Sequence, residues 1–205
     1  DITIRGKGGH AAIPHNNTDP LVAAAAILTG LQTIMSRNTD PMKPSVVSVT
    51  QIHGGTTYNV SPEQAQLAGT VRYFDIQQQA VIKDRMALLV KQTAGAYGVE
   101  AEITYQDRYP PTINSPKESD RCGSVLANVF GPENVDLSPM PLMAAEDFSF
   151  MLQSVPGCYI WAGNGNGEGS CMVHNPRYDF NDDLIPYGAT YWVELVEELL
   201  AKAYQ

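Results

Sequence analysis

Three cysteines in 205 residues are too few, too scattered and odd in number to build a disulfide framework, and none forms a Cys-x-x-Cys pair. Cys122, Cys158 and Cys171 are therefore expected as free thiols in a reducing, cytoplasmic setting. No apolar run approaches the ~20 residues of a membrane span. No signal-peptide pattern opens the chain. It begins at Asp1 without an initiating Met, as expected of a processed or excised piece. Cations are scarce: 13 Lys and Arg stand against 22 Asp and Glu, for a formal net charge of −9. That balance speaks against a nucleic-acid surface, which needs clustered Lys and Arg. It favours solubility and names no partner. The apolar content is ordinary, enough for a packed core. The length suits one large domain or two small ones.

The first half alternates between two periodicities. Residues 2–6 place Ile2 and Ile4 on one face and Thr3 and Arg5 on the other, a half-buried strand. Asp19 and Pro20 read as the cap and first turn of a helix with an apolar stripe of Leu21, Ala24, Leu28, Leu31 and Met35. Residues 45–52 are β-branched and strand-like. Residues 64–74 alternate again, with Ala65, Leu67, Val71 and Tyr73 opposed to Gln64, Gln66, Thr70 and Arg72. Asp75 caps a second expected helix, with a stripe of Ile82, Met86, Leu89, Thr93 and Tyr97 and a stop at Gly98. Residues 100–106 read as a fourth strand. The order β-α-β-β-α-β is the ferredoxin-like pattern, a four-stranded sheet with two helices on one face. Its free edge strands suit pairing with a second copy.

Within this half, Gly8-Gly9-His10-Ala11-Ala12-Ile13-Pro14-His15 stands out. The glycines allow a tight bend or a close approach, and two alanines leave His10 unshielded. Such an imidazole can donate to a developing oxyanion or shuttle a proton. It can also simply bond a nearby carbonyl. His15 is expected to brace the turn. His53 suggests no role.

Past the proline-rich stretch 109–116, an extended linker, the pattern changes. Residues 118–131 are expected as a helix and 134–138 as a short strand. Residues 146–152 are expected as a helix with acidic residues in its first turn. Residues 158–163 read as a buried strand. A final helix is expected from about Pro186, with a stripe of Trp192, Leu195, Val196, Leu199 and Ala203. A strand like 158–163 needs sheet neighbours and helices on both faces, and residues 117–205 do not supply them. This half is expected to be the returning end of a larger α/β domain that starts upstream of Asp1.

Five stretches now stand in one order: KGGHAAIPH (7–15), GGTTYNVSP (54–62), GTVRYFD (69–75), AAEDFSFML (144–152) and HNPRYDFND (174–182). Together they resemble the co-catalytic dimetal amidohydrolases of the aminoacylase and carboxypeptidase family. Within that family they look like the branch of hippurate hydrolase, auxin-conjugate hydrolase and N-acetyl-diaminopimelate deacetylase. The resemblance implies an α/β catalytic domain with an inserted ferredoxin-like lid that pairs two copies into a homodimer. It assigns residues 1–112 to the lid and 113–205 to the catalytic domain. It implies hydrolysis of N-acyl amino acids with two divalent metals (zinc, manganese, cobalt or nickel) and a metal-bound water.

By the same resemblance, His174 matches the last metal ligand, a role that suits a neutral imidazole. By residue type alone it is a polar side chain on a turn before Pro176. Cys171 is expected as a buried, inert thiol. His10 matches the lid histidine that stabilises the oxyanion, usually in the other subunit. Asn59 matches an asparagine that binds the substrate carboxylate or the scissile carbonyl; otherwise it is a turn residue. Arg72 matches an arginine that forks onto an α-carboxylate, or is a solvated strand residue. Glu146, at an expected helix start, is expected to hold a metal-bound water network or a substrate amine, or to cap its own helix.

The family's upstream metal ligands and its general-base glutamate have no counterpart in the chain. Alone it is expected to bind few or no metal ions and to be inactive, so the activity belongs to the intact protein. The alternative reading is a non-catalytic ferredoxin-like module for amino-acid binding or dimerisation.

Overall fold

The computed structural model describes residues 1–201. The chain divides into two compact units, Asp1–Pro111 and the remainder from Thr112. In the first unit, β1 (Ile2–Arg5) and β2 (Gly9–His10) precede α1 (Pro20–Arg37). Then come β3 (Ser45–Gly54), β4 (Val60–Ser61), β5 (Gln64–Tyr73), α2 (Ile76–Ala96) and β6 (Glu100–Ile103). The strands β3, β5, β1 and β6 lie side by side in that order, and every neighbouring pair is antiparallel.

Alternation decides which face is covered. Ile2, Ile4, Val47, Ala65 and Leu67 are buried in one cluster with Ile27, Leu31 and Ile34 of α1 and Ile82, Met86 and Val90 of α2. Each such side chain contributes roughly 1.5–3 kcal/mol by leaving water. Arg5, Gln64 and Gln66, on the opposite parity, are exposed. The helices start where short acidic side chains replace missing backbone partners. Asp19 accepts from Leu21 N–H and Asp75 from Gln77 N–H, each at 2.8 Å, and Gly98 turns the chain after α2 at φ +67°.

The helix stripes need correction. In α2 the buried line is Gln78, Ile82, Met86, Val90 and Ala94; Tyr97 is exposed and Leu89 only partly covered. In α1 the line is Pro20, Ala23, Ala24, Ile27, Leu31 and Ile34, with Leu21, Leu28 and Met35 at its margin.

Beyond the sheet, β1 and β5 extend toward each other's loops as a narrow ribbon. Gly6 N–H donates to Glu63 C=O at 2.9 Å. Gly9 then pairs with Ser61 and His10 with Val60.

The second unit contains α3 (Pro116–Phe130), α4 (Phe148–Ser154) and α5 (Leu184–Ala201). Cys122, Val125, Tyr191 and Leu195 form its buried centre. Three expectations fail here. Residues 134–138 form no strand: Asp136 Oδ1 takes the Ser138 N–H at 2.9 Å, a local turn that competes with an extended ladder. Residues 158–163 form no strand either. Both backbone groups of Tyr159 are taken by one carboxamide, N–H to Asn114 Oδ1 and C=O from Asn114 Nδ2, each at 2.8 Å. Trp161 is 57% exposed. In α5, Tyr191 and Leu195 are the buried pair, while Trp192, Val196 and Leu199 are exposed; Ala203 lies outside the described residues. Among the described residues no helix is long and apolar enough to cross a membrane.

Candidate functional site

The ribbon brings together two residues far apart in the chain. His10 sits opposite Val60, and the next amide, Ala11 N–H, donates to Asn59 C=O at 3.0 Å. Both His10 and Asn59 are exposed. Asn59 Oδ1 accepts from Thr57 Oγ1 at 3.4 Å. His10 Nδ1 accepts from Ala12 N–H at 3.1 Å, and its carbonyl accepts from Asn17 Nδ2 at 3.2 Å. Asn17, which sequence reasoning missed, braces the turn in place of His15. His15 lies exposed on the 3-10 turn Pro14–Asn16. The available signal was a short polar residue just ahead of the Thr18-Asp19-Pro20 helix start. His53 Nε2 faces Gln51 Oε1 at 3.3 Å.

Arg72 is not beside them. It pairs with Val46 at the far end of β5, about 26 Å of extended strand from Gln64, where the ribbon begins. Its Nη1 donates to Val71 C=O at 2.9 Å. Its charge acts on two tyrosines. Burial pushes the Tyr105 hydroxyl up to about 12, aided by Tyr73 and Asp107 and opposed by Arg72. Burial and then Asp107 raise Tyr73, again against Arg72.

In the second unit, Glu146 precedes α4 and is half-buried, so the expected acidic first turn is absent. Its carbonyl accepts from Ser149 N–H at 3.2 Å and from Ser149 Oγ. Its carboxylate lies against Tyr159, whose hydroxyl is raised by burial first and then by Glu146. His174 stands at φ +69° and is exposed. It crowns a loop closed by Asp179 N–H to Gly169 C=O at 3.0 Å and by Asn164 Nδ2 to Asp179 C=O at 2.8 Å. Cys171 is half-buried rather than buried, its thiol toward Gly169 C=O at 3.8 Å.

Among the described residues no group of three or more His, Cys, Asp and Glu side chains could hold a metal ion. One imidazole does not hold two divalent ions, which need three or four donors each. The donor set of the described residues therefore does not fit a complete two-metal centre.

The architecture is an α/β fold similar to that of solved structures. Against the Bacillus subtilis YXEP protein, described as a dinuclear metal binding peptidase from the M20 family, the TM-score is 0.72 with 26% identity, over 98% of this chain and 49% of that one. Residues 6–198 match peptidase family M20/M25/M40, and the chain belongs to that family. The N-acetylcysteine deacetylase of Bacillus subtilis is 34% identical over 196 residues, 95% of this chain and 50% of that protein. The hippurate hydrolase of Campylobacter jejuni is 32% identical over 199 residues, 97% of this chain and 51% of that protein. The chain thus spans about half the length of the curated relatives it matches.

Proposed function

We propose that this chain is the lid and the returning half of the catalytic body of a metal-dependent amidohydrolase that cleaves the amide bond of N-acyl amino acids. Residues 1–112 act as a ferredoxin-like lid that pairs two copies in a homodimer, and residues 113–205 complete a catalytic domain. The strand order of the sheet, with both helices on one face, supports the lid assignment. The similarity to a deacetylase and a hippurate hydrolase supports the substrate class. The enzyme works in the cytoplasm, in keeping with three free thiols.

The observation that carries the reading is the ribbon tip, where the bond from Ala11 N–H to Asn59 C=O sets the exposed Asn59 carboxamide next to the residue after the exposed His10. There His10 donates to the oxyanion and Asn59 binds the scissile carbonyl or the substrate carboxylate. Arg72 forks onto the α-carboxylate. Because Arg72 lies at the far end of β5 from the ribbon that carries His10, one substrate molecule takes them from different copies. His174 supplies one nitrogen donor to a metal, and Glu146 orders water or a substrate amine. The remaining donors lie outside these residues, so the chain alone does not hydrolyse substrate.

The test uses the full-length protein loaded with zinc, manganese, cobalt or nickel and assayed on hippurate and N-acetyl amino acids. His10→Ala lowers kcat by about 10²–10³, and Arg72→Ala raises KM. Mixing the two variants as dimers recovers hydrolysis, since one site of each mixed dimer then carries both native residues. Absence of turnover with all four metals, or no recovery in the mixture, overturns the reading.

A further inference from the structure

His10 is fixed more tightly than an exposed side chain needs to be. On one edge its backbone is laddered to Val60. On the other, its carbonyl accepts from Ile13 N–H at 3.0 Å and from Asn17 Nδ2 at 3.2 Å. The same carboxamide presses on the preceding residue: a Cβ on Gly9 would overlap Asn17 Oδ1. Gly9 is thus the residue type that lets Asn17 lie against the main chain just ahead of His10. The ring is held as well. Ala12 N–H donates to Nδ1 at 3.1 Å. A backbone amide can only donate, so Nδ1 must present its lone pair. In the neutral ring the proton then sits on Nε2.

We propose that Asn17 is a positioning residue for His10: with Gly9 and the Ala12 amide it forms a cradle that sets the ring's orientation and its Nε2–H tautomer. The cradle makes a hydrogen-bond donor of the one ring nitrogen not committed to the backbone. An oxyanion donor must arrive with its N–H already aimed, because reorientation during the reaction subtracts from the stabilisation it gives. This use of the donor rests on the reading of His10 given above; the cradle itself does not.

The experiment is nitrogen NMR on this chain with labelled histidine and backbone, at a pH where the ring is neutral, with His10→Ala to assign the signal. In the wild type, Nδ1 is unprotonated and shows a through-hydrogen-bond coupling to the Ala12 amide. Asn17→Ala weakens that coupling and shifts the ring toward a mixture of tautomers, while the Val60 and Ser61 amides keep their shifts. Gly9→Ala displaces the Asn17 carboxamide and gives the same change, and the Gly9→Ala/Asn17→Ala double variant adds nothing further. A protonated Nδ1 in the wild type, or an Asn17→Ala spectrum identical to wild type, overturns the proposal. So does loss of the whole ribbon in Asn17→Ala, which would mean a merely structural role. In the full-length enzyme, Asn17→Ala lowers kcat by about tenfold with KM little changed, as misplacement of a catalytic group does. If His10→Ala leaves kcat intact while the NMR results hold, the oxyanion reading fails and the cradle stands.

Discussion

Asp19 and Ser61 meet across 3.5 Å, the serine hydroxyl donating to Oδ2, while Oδ1 of the same carboxylate caps α1 through Leu21 N–H. One side chain thus ties the start of the first helix to the strand that pairs with His10. Asp19→Ala is expected to cost about 1 kcal/mol, the usual worth of an N-cap, and to free the ribbon as well. Ser61→Ala removes only the second link and costs less. Urea unfolding orders the two variants, and hydrogen exchange at Val60 reports the ribbon. Equal losses in both would mean that the cap does not matter here.

His174 sits in the left-handed region at φ +69°, where an L-residue carries roughly 1–2 kcal/mol of strain. His174→Gly is therefore expected to stabilise the chain by about 1 kcal/mol, and His174→Ala to give no such gain. On the ligand role proposed for His174, both variants are expected to lose metal retention in the full-length enzyme. Strain kept at this exposed position is in keeping with the metal role proposed for His174. A His174→Gly chain no more stable than His174→Ala would remove that argument.

Burial holds the Tyr105 hydroxyl neutral up to about 12, against about 10 in an unfolded chain. A raised folded value stabilises fully below the unfolded one. That contribution falls as pH climbs from about 10 and is gone once it passes about 12. Tyrosinate absorbance on alkaline titration is expected to show a late component. Arg72→Ala should move it later still, since the guanidinium opposes the shift. Titration of all ten tyrosines together near 10 would exclude the buried setting.

Much of the first unit is legible in the residues themselves. Alternation in 2–6 and 64–74 names the strands, because the side-chain period of a strand is two. Asp19, Asp75 and Gly98 mark helix ends through local hydrogen bonds and one left-handed φ. These features depend only on neighbours in the chain. His10, Asn59, Arg72, Glu146 and His174 stand in short motifs that resemble those of a known family, and the roles given to them above are proposals.

What the tertiary structure decided is contact. Which line of α2 is buried depends on where α1 packs, so Val90 and Ala94 displace Thr93 and Tyr97. Pairing Val49 with Gly69 but Gln51 with Ala68 leaves Thr50 as an extra residue in β3, a bulge that reverses parity beyond it. Tyr159 spends its backbone groups on Asn114 instead of a strand, a choice no periodicity encodes. The approach of His10 to Asn59 and the remoteness of Arg72 both follow from strand register. Register is set by which faces are buried across the whole sheet, so no single stretch of the chain contains it.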